Sequence, residues 1–523
     1  MPKKSKRKTT PAAQRLQEFK KLMRDFDLVC KNKDWPKALE YESKILSFED
    51  IPKLSPSALT GQLGMLHYGL GVAHRECGSS EKALTLFFKI LKGIEDTEMR
   101  VSWEYKTNAM DAAAVCCLDV GKFELAKRLF IELIDLHEKQ RNYIMTIVSR
   151  LKKSDQFNIA IQVMDKFDVL NRPLSEDPST GLVRHDMAHG ILANCLDEVN
   201  DFRRAIRILE QGLNIVTTQN DIECICLYQS SLARSYAYLR NDEKAHEYID
   251  LTLECLEKNT EIGGSYRCHC DVGEAYLSME EYTKAINFFE NAASHKKIDY
   301  ESLCNYPLVP LYRCMGKAHL QIQSWDNSIS NYEKALKQTN AMSGGSNTRI
   351  LEKKSGISLM ELGRARLEHY LSEPPKSRDE EILQKALSES MDAKAILFDK
   401  HTLTDDRSLF LDLAQEYFLL HNIEEAHYML AEYLDFLIVV APTRCHRCHQ
   451  VWHKDESNGR ICGNCMVITF CGVEHHKLTW KKGRISHKSM CSLLNGWRRM
   501  KKDKVSKEEC ESLMDEFLSR ILR

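Results

Sequence analysis

One spacing recurs along most of this 523-residue chain: a bulky residue, a small one three positions later, and a large one four positions beyond that. Tyr282, Ala285 and Phe289 show it, as do Phe123, Ala126 and Phe130, Phe157, Ala160 and Met164, Phe202, Ala205 and Leu209, and Trp325, Ser328 and Tyr332. Trp35 with Ala38, Ala83 with Phe87, Ala245 with Ile249, Ala386, and Ala426 with Leu430 continue the series. A second small residue lies twelve positions before most of these, at Gly71, Ala114, Ala193, Ala233, Gly273, Gly316 and Ala414. An aromatic or other large residue often follows it after three more, as Tyr236, Tyr276, His319 and Tyr417 do. Offsets of three and four place residues on one face of a helix. A small residue on each of two antiparallel helices lets them approach, and a large neighbour fills the groove between them. One such pair cannot bury its own apolar face, so copies must stack.

The ten register positions, residues 38, 83, 126, 160, 205, 245, 285, 328, 386 and 426, are separated by steps of 34 to 58 residues. The longest step holds an insertion around Pro374 and Pro375, which makes Gly363 and Ala386 one unit with a stretched turn. Loops are also expected near Arg172–Gly181 and Met342–Ser346. The stretch from Gly273-Glu-Ala-Tyr276 to Tyr282-Thr-Lys-Ala285-Ile-Asn-Phe-Phe289 resembles the tetratricopeptide repeat, whose minimal unit is about 34 residues. That resemblance implies an all-α superhelical solenoid over 13–440, of about ten units, that grips partner proteins or peptides. The Lys/Asn set with which some relatives clamp a chaperone's C-terminal carboxylate is not found at the matching positions.

Composition narrows the class. With 43% hydrophobic and 28% charged residues the chain is neither disordered nor membrane-like, and no apolar run approaches the length of a membrane span. The basic start, Lys3 to Lys8, is not followed by an apolar stretch, so it is not a secretory signal. Residues 1–12 read as a disordered basic start, which could serve nuclear import, and the chain as intracellular, cytoplasmic or nuclear. A reducing compartment makes thirteen of the 19 cysteines buried thiols within helices rather than disulfides. Charge is uneven: from Ala441 onward there are 17 Lys and Arg against 9 Asp and Glu, which leaves 57 against 66 before it.

The other six cysteines crowd into 445–491. Cys445-His-Arg-Cys448 and Cys462-Gly-Asn-Cys465 are two CxxC knuckles, followed by Cys471, His475, His476 and His487-Lys-Ser-Met-Cys491. Two residues between cysteines let both thiolates meet one metal, and sulfur with imidazole suits tetrahedral zinc. Eight ligand-type residues make two closed, structural zinc sites, and spacing alone leaves their pairing open. The segment resembles the MYND zinc finger through Phe470-Cys471, Trp480 five residues after His475, and the terminal His-Lys-x-x-Cys. The resemblance implies interleaved ligands: Cys445, Cys448, Cys471 and His475 on one zinc, Cys462, Cys465, His487 and Cys491 on the other. It departs from the family in placing histidine at the sixth ligand, where His476 competes with His475, and in a longer stretch between Trp480 and His487. It also implies recruitment of partners through short proline-containing segments, with Trp480 as groove wall or as finger core. His446, His449 and His453 read as solvated. Residues 492–523 are expected to form a basic linker and an amphipathic tail helix, with Leu513, Met514, Phe517, Leu518, Ile521 and Leu522 on one side.

The function so implied is a non-catalytic scaffold. Two other readings stay open. Eleven Lys and Arg between Lys477 and Lys507 could follow nucleic-acid phosphates. A degenerate relative of the MYND lysine methyltransferases would need a SET domain, and no strands, cofactor loop or Asn-His-x-x-Cys-like segment of that kind is found. Gly69-Leu-Gly71 lacks the third glycine of a dinucleotide loop.

Overall fold

The computed structural model describes residues 11–48, 56–96, 103–137, 141–171, 185–258, 265–294, 308–341, 348–400, 408–440, 460–461, 469–470, 487–501 and 506–522. The expected loops at 172–181 and 342–346 lie outside them. The chain divides into two units, Met1–Val183 with Ser343–Thr348, and Arg184–Met342 with Arg349–Arg523.

In the first unit the helices are α1 (Pro11–Lys31), α2 (Trp35–Leu39), α3 (Glu42–Leu46), α4 (Pro56–Glu76), α5 (Ser80–Asp96), α6 (Trp103–Asp119), α7 (Phe123–Leu136), α8 (Arg141–Lys153) and α9 (Phe157–Lys166). Helix α1 begins at Pro11, inside the expected disordered start, because proline's fixed φ and missing N–H suit a first helical turn. The second unit holds α10 (His185–Glu198), α11 (Phe202–Thr218), α12 (Ile222–Tyr238), α13 (Asp242–Lys258), α14 (Ser265–Ser278), α15 (Tyr282–Ser294), α16 (Leu308–Gln321), α17 (Trp325–Ala341), α18 (Thr348–Ser372), α19 (Glu380–Lys394), α20 (Ser408–Leu419) and α21 (Ile423–Val440). Strands β1 (Arg460–Ile461) and β2 (Thr469–Phe470) pair antiparallel, Arg460 opposite Phe470. Two helices follow, α22 (His487–Met500) and α23 (Lys507–Ile521). Among the described residues no helix is long and apolar enough to cross a membrane.

These helices form ten pairs, and the register explains each. All ten small positions, Ala38 through Ala426 with Ser328 among them, are fully buried. Four residues on, Phe87, Phe130, Phe289, Tyr332 and Leu430 are buried too. The Phe289 ring lies 2.5 Å from where a Cβ on Gly273 would sit, and the Tyr332 ring 2.8 Å from that place on Gly316. The groove-filling residue of the second helix therefore packs on the small residue of the first. Ser328 also donates through Oγ to the Gly316 carbonyl at 2.8 Å.

The turn inside each pair is equally regular. Lys33, Gly78, Gly121, Asp155, Asn200, Arg240, Glu280, Gln323 and His421 have φ between 54° and 79°, and each lies five residues before its pair's small residue. The next residue's N–H closes a six-residue bond to the preceding helix, as in Ser79 to His74, Asn241 to Tyr236, Glu281 to Tyr276 and Asn422 to Tyr417. This is the Schellman helix ending. The exception is the α18–α19 pair, whose turn runs through Pro374 and Ser377 and has no such residue. Gly363 still meets Ala386 and Ser390 there.

Helix α22 continues to Met500, through residues expected to be linker. Leu493, Leu494 and Trp497 give it an apolar face that is buried in a cluster with Leu413, Leu430, Leu434 and Leu437 of α20 and α21. Helix α23 joins the same cluster through Cys510, Met514, Phe517 and Leu518. The thiols expected to be buried are only partly so. Cys116, Cys117, Cys195, Cys226, Cys268 and Cys510 are, whereas Cys30, Cys224, Cys255, Cys270 and Cys314 are half-buried and Cys304 lies outside the described residues; exposed among them is Cys77. The last falls in the α4–α5 turn.

Candidate functional site

Two arrangements stand out: a ladder of charges across the first helices of successive pairs, and the end of α22 that carries His487 and Cys491.

The ladder is densest in the second unit. Arg234 of α12 donates to Asp271 of α14 at 2.5 Å and to Asp197 of α10 at 2.8 Å, so one guanidinium joins three successive pairs. Ser235 donates to Asp197 at 2.9 Å, and Ser230 and Ser231 to Asp271 at 3.3 and 3.1 Å. Glu274 stands 3.9 Å from Arg234 and accepts from the Tyr238 hydroxyl at 3.5 Å. Further on, Arg313 binds Glu361 with two bonds, Nε at 2.6 Å and a terminal nitrogen at 2.8 Å. Arg364 reaches both Asp412 and Ser408, whereas Arg366 stands outside the ladder and reaches second helices instead, at Glu333 of α17 and Glu389 of α19. In the first unit Arg150 of α8 pairs with Asp111 of α6.

Buried charges of this kind are retained only where they are paired and hydrogen-bonded. Around Arg234 the balance is negative, three carboxylates to this buried guanidinium and to the half-exposed Arg267, which stands 4.0 Å from Asp271. Burial alone would depress Arg234, but Asp271, Asp197 and Glu274 hold it well above its ordinary value. Burial raises Asp197 despite the pull of Arg234. Burial likewise raises Glu274 from 4.5 to about 7; Arg234 opposes the rise while Asp271, Glu198 and Asp197 add to it. Tyr238, Cys270 and Cys314 complete its titratable surroundings.

A folded value above the unfolded one means that Glu274 contributes stability below pH 4.5 that is lost as pH rises through about 7. Glu274→Gln mimics the protonated form. Denaturant titrations at pH 5 and pH 8 should show the variant gaining roughly 1–3 kcal/mol on the parent at the higher pH. A gain that does not change with pH would assign the charge balance differently.

The sequence pattern did not expose this ladder, because its partners stand 37 to 48 residues apart. The signal available was a charged residue within four positions of the small residue in the first helix: Asp111, Asp197, Arg234, Asp271, Arg313, Glu361, Arg364 and Asp412.

Of the eight expected metal ligands, Cys445, Cys448, Cys462, Cys465, Cys471 and His475 lie outside the described residues, as do His476 and Trp480. Strands β1 and β2 flank the Cys462–Cys465 knuckle in the chain and lead into Cys471. His487 and Cys491 are described. They stand four residues apart at the start of α22, hence on one helical face, and are 0% and 3% exposed. A buried imidazole and a buried thiol one turn apart are a donor set that zinc takes, so the residues present fit the metal. Among the described residues no group of three or more His, Cys, Asp and Glu side chains is placed to hold a metal.

No family model matches the chain. A stretch of 138 residues, 25% of the chain, is 25% identical to Tetratricopeptide repeat protein 29 of Trypanosoma brucei brucei, and spans 27% of that relative's length. Solved structures with a similar helical course include a Rap protein complexed with competence and sporulation factor (15% identity, 72% of this chain and 98% of that one, TM-score 0.36). The apo quorum sensor NprR from B. thuringiensis (11%, 80% and 99%, 0.36) is another. So is the human IFIT1 dimer with m7Gppp-AAAA (11%, 93% and 94%, 0.34). The small-to-large register, its ten helix pairs and the local sequence match make this helical array tetratricopeptide-like.

Proposed function

We propose that the chain is a non-catalytic interaction scaffold: its repeat array binds partner proteins, and its cysteine-rich segment is a structural two-zinc module of the MYND kind. The observation that carries the array's part is the ladder of paired charges. It fixes neighbouring first helices against one another, so a partner meets a series of helices at set spacing and their ordering entropy is spent before binding. The zinc-binding reading rests on the ligand spacing and on His487 and Cys491, buried one turn apart. Cys445, Cys448, Cys471 and His475 would hold one ion and Cys462, Cys465, His487 and Cys491 the other. Closed tetrahedral sites would serve folding. Proline-containing segments are the proposed ligands of this module, with Trp480 against them.

Elemental mass spectrometry on the full chain should find two zinc ions, and about one in a Cys462→Ser, Cys465→Ser variant. A chain with no zinc, or with a single metal in both proteins, overturns the two-site reading. The basic stripe invites a second reading, nucleic-acid binding. One of its members is already engaged: Lys501 pairs with Asp435 of α21 at 2.9 Å and lies over the Trp497 ring. Binding to single- or double-stranded oligonucleotides that weakens steeply with salt would favour that second reading.

A further inference from the structure

The end of α22 that carries His487 and Cys491 and the part that packs on the last repeat are one continuous face. Cys491, Leu494 and Trp497 follow each other at helical spacing, and all three lie in the cluster formed by α20 and α21. Met490 and Leu493 flank them in the same cluster. Two polar links tie the assembly at its rim. The Trp497 indole donates to Asp435 of α21 at 2.8 Å, beside the Lys501 ion pair. His427 of α21 and Asp515 of α23 are 2.8 Å apart. Helices α22 and α23 thus complete the array as an eleventh pair, covering the apolar face that the last repeat would otherwise expose.

We propose that α22 is a shared element, so that metal binding by the cysteine-rich segment and docking of α22–α23 on α21 are thermodynamically coupled. The proposal rests on the two-zinc reading above. A helix whose first turn is held by metal and whose remainder is held by α21 loses less freedom in each event when the other has occurred. Chelation therefore weakens docking of the cap, and undocking the cap lowers metal affinity by the same factor. A partner that grips the last repeat and a partner that grips the metal module would sense each other through this helix.

The test uses the full chain in two measurements, with the zinc count recorded in each. Hydrogen exchange before and after chelation should show faster exchange in 487–500 and 507–521, with α12 and α14 unchanged. Zinc transfer to a chromophoric chelator should be about 5- to 50-fold more favourable from an Asp435→Ala, Asp515→Ala variant than from the parent. Both carboxylates are half-exposed and neither is among the expected ligands, and helix content equal to the parent's by circular dichroism is the control that the variant folds. Removal of two zinc ions with no change in α22 and α23 exchange, or an unchanged transfer equilibrium in the variant, overturns the coupling and leaves the zinc reading standing. A parent that carries no zinc overturns both, and the metal count tells the two failures apart.

Discussion

Replacing Arg234 by methionine should cost the second unit about 3–5 kcal/mol, because it leaves Asp197, Asp271 and Glu274 without the guanidinium that bridges them. Methionine keeps most of the side chain's volume, so the loss measures charge rather than packing. The damage should be local. Exchange of amides in α10, α12 and α14 should quicken together, since the bridge spans those three helices, while α20 and α21 keep their protection. Adding Asp271→Asn should recover part of the loss, because one of the stranded charges goes with its partner. The two substitutions made singly should therefore cost more than the double variant does. If Arg234→Met leaves the unfolding free energy within a few tenths of a kcal/mol of the parent, the ladder does not set the spacing of the repeats.

Phe289→Ala should destabilise the same unit to a similar extent, by about 3–5 kcal/mol, for a different reason. The Phe289 ring is 1% exposed and fills the groove that Gly273 leaves open. Its removal creates a cavity between α14 and α15 that two packed helices close only partly. Gly273→Ala probes the same contact from the other side. A Cβ there would lie 2.5 Å from the ring's Cε1, and overpacking of this kind costs about 1–3 kcal/mol although alanine favours the helix. The two changes combined should cost clearly less than their sum, since the new methyl occupies part of the space the ring vacates. Thermal denaturation of the three variants suffices. Strict additivity would mean that the ring and the glycine do not share one groove.

The pairing of helices was legible in the sequence because one physical demand, close approach, selects small residues and repeats ten times. The turn between the helices was not. Nine turns carry a left-handed residue at the same place, yet only Gly78 and Gly121 are glycine; Lys33, Arg240, Glu280 and Gln323 occupy it as well. Gly78, Gly121, Asp155, Asn200 and His421 are types that tolerate the left-handed region, but at the other four positions capping bonds and packing hold the conformation and residue type carries no mark of it. The ladder escaped for a related reason: a charge on a helix looks solvated until its partner one pair away is placed. Of the cysteine-rich segment, spacing suggests eight candidate ligands, and the structure places two of them, His487 and Cys491, on one helical face. That α22 runs past Cys491 could not be read from its charges, since Arg498, Arg499 and Lys501 mask the apolar series Leu493, Leu494 and Trp497.

The constancy of those turns has a practical side for anyone engineering the chain. From the left-handed residue to the small residue the count never varies in nine pairs, whereas the step from one pair to the next ranges from 34 to 45 residues, the α18–α19 pair with its lengthened turn set aside. Length variation is therefore tolerated mainly between hairpins and resisted within them. A peptide tag or a fluorescent reporter belongs in a segment joining two pairs, such as 295–307, and an insertion of even one residue between Glu280 and Ala285 would shift a whole helix face out of phase with its neighbour.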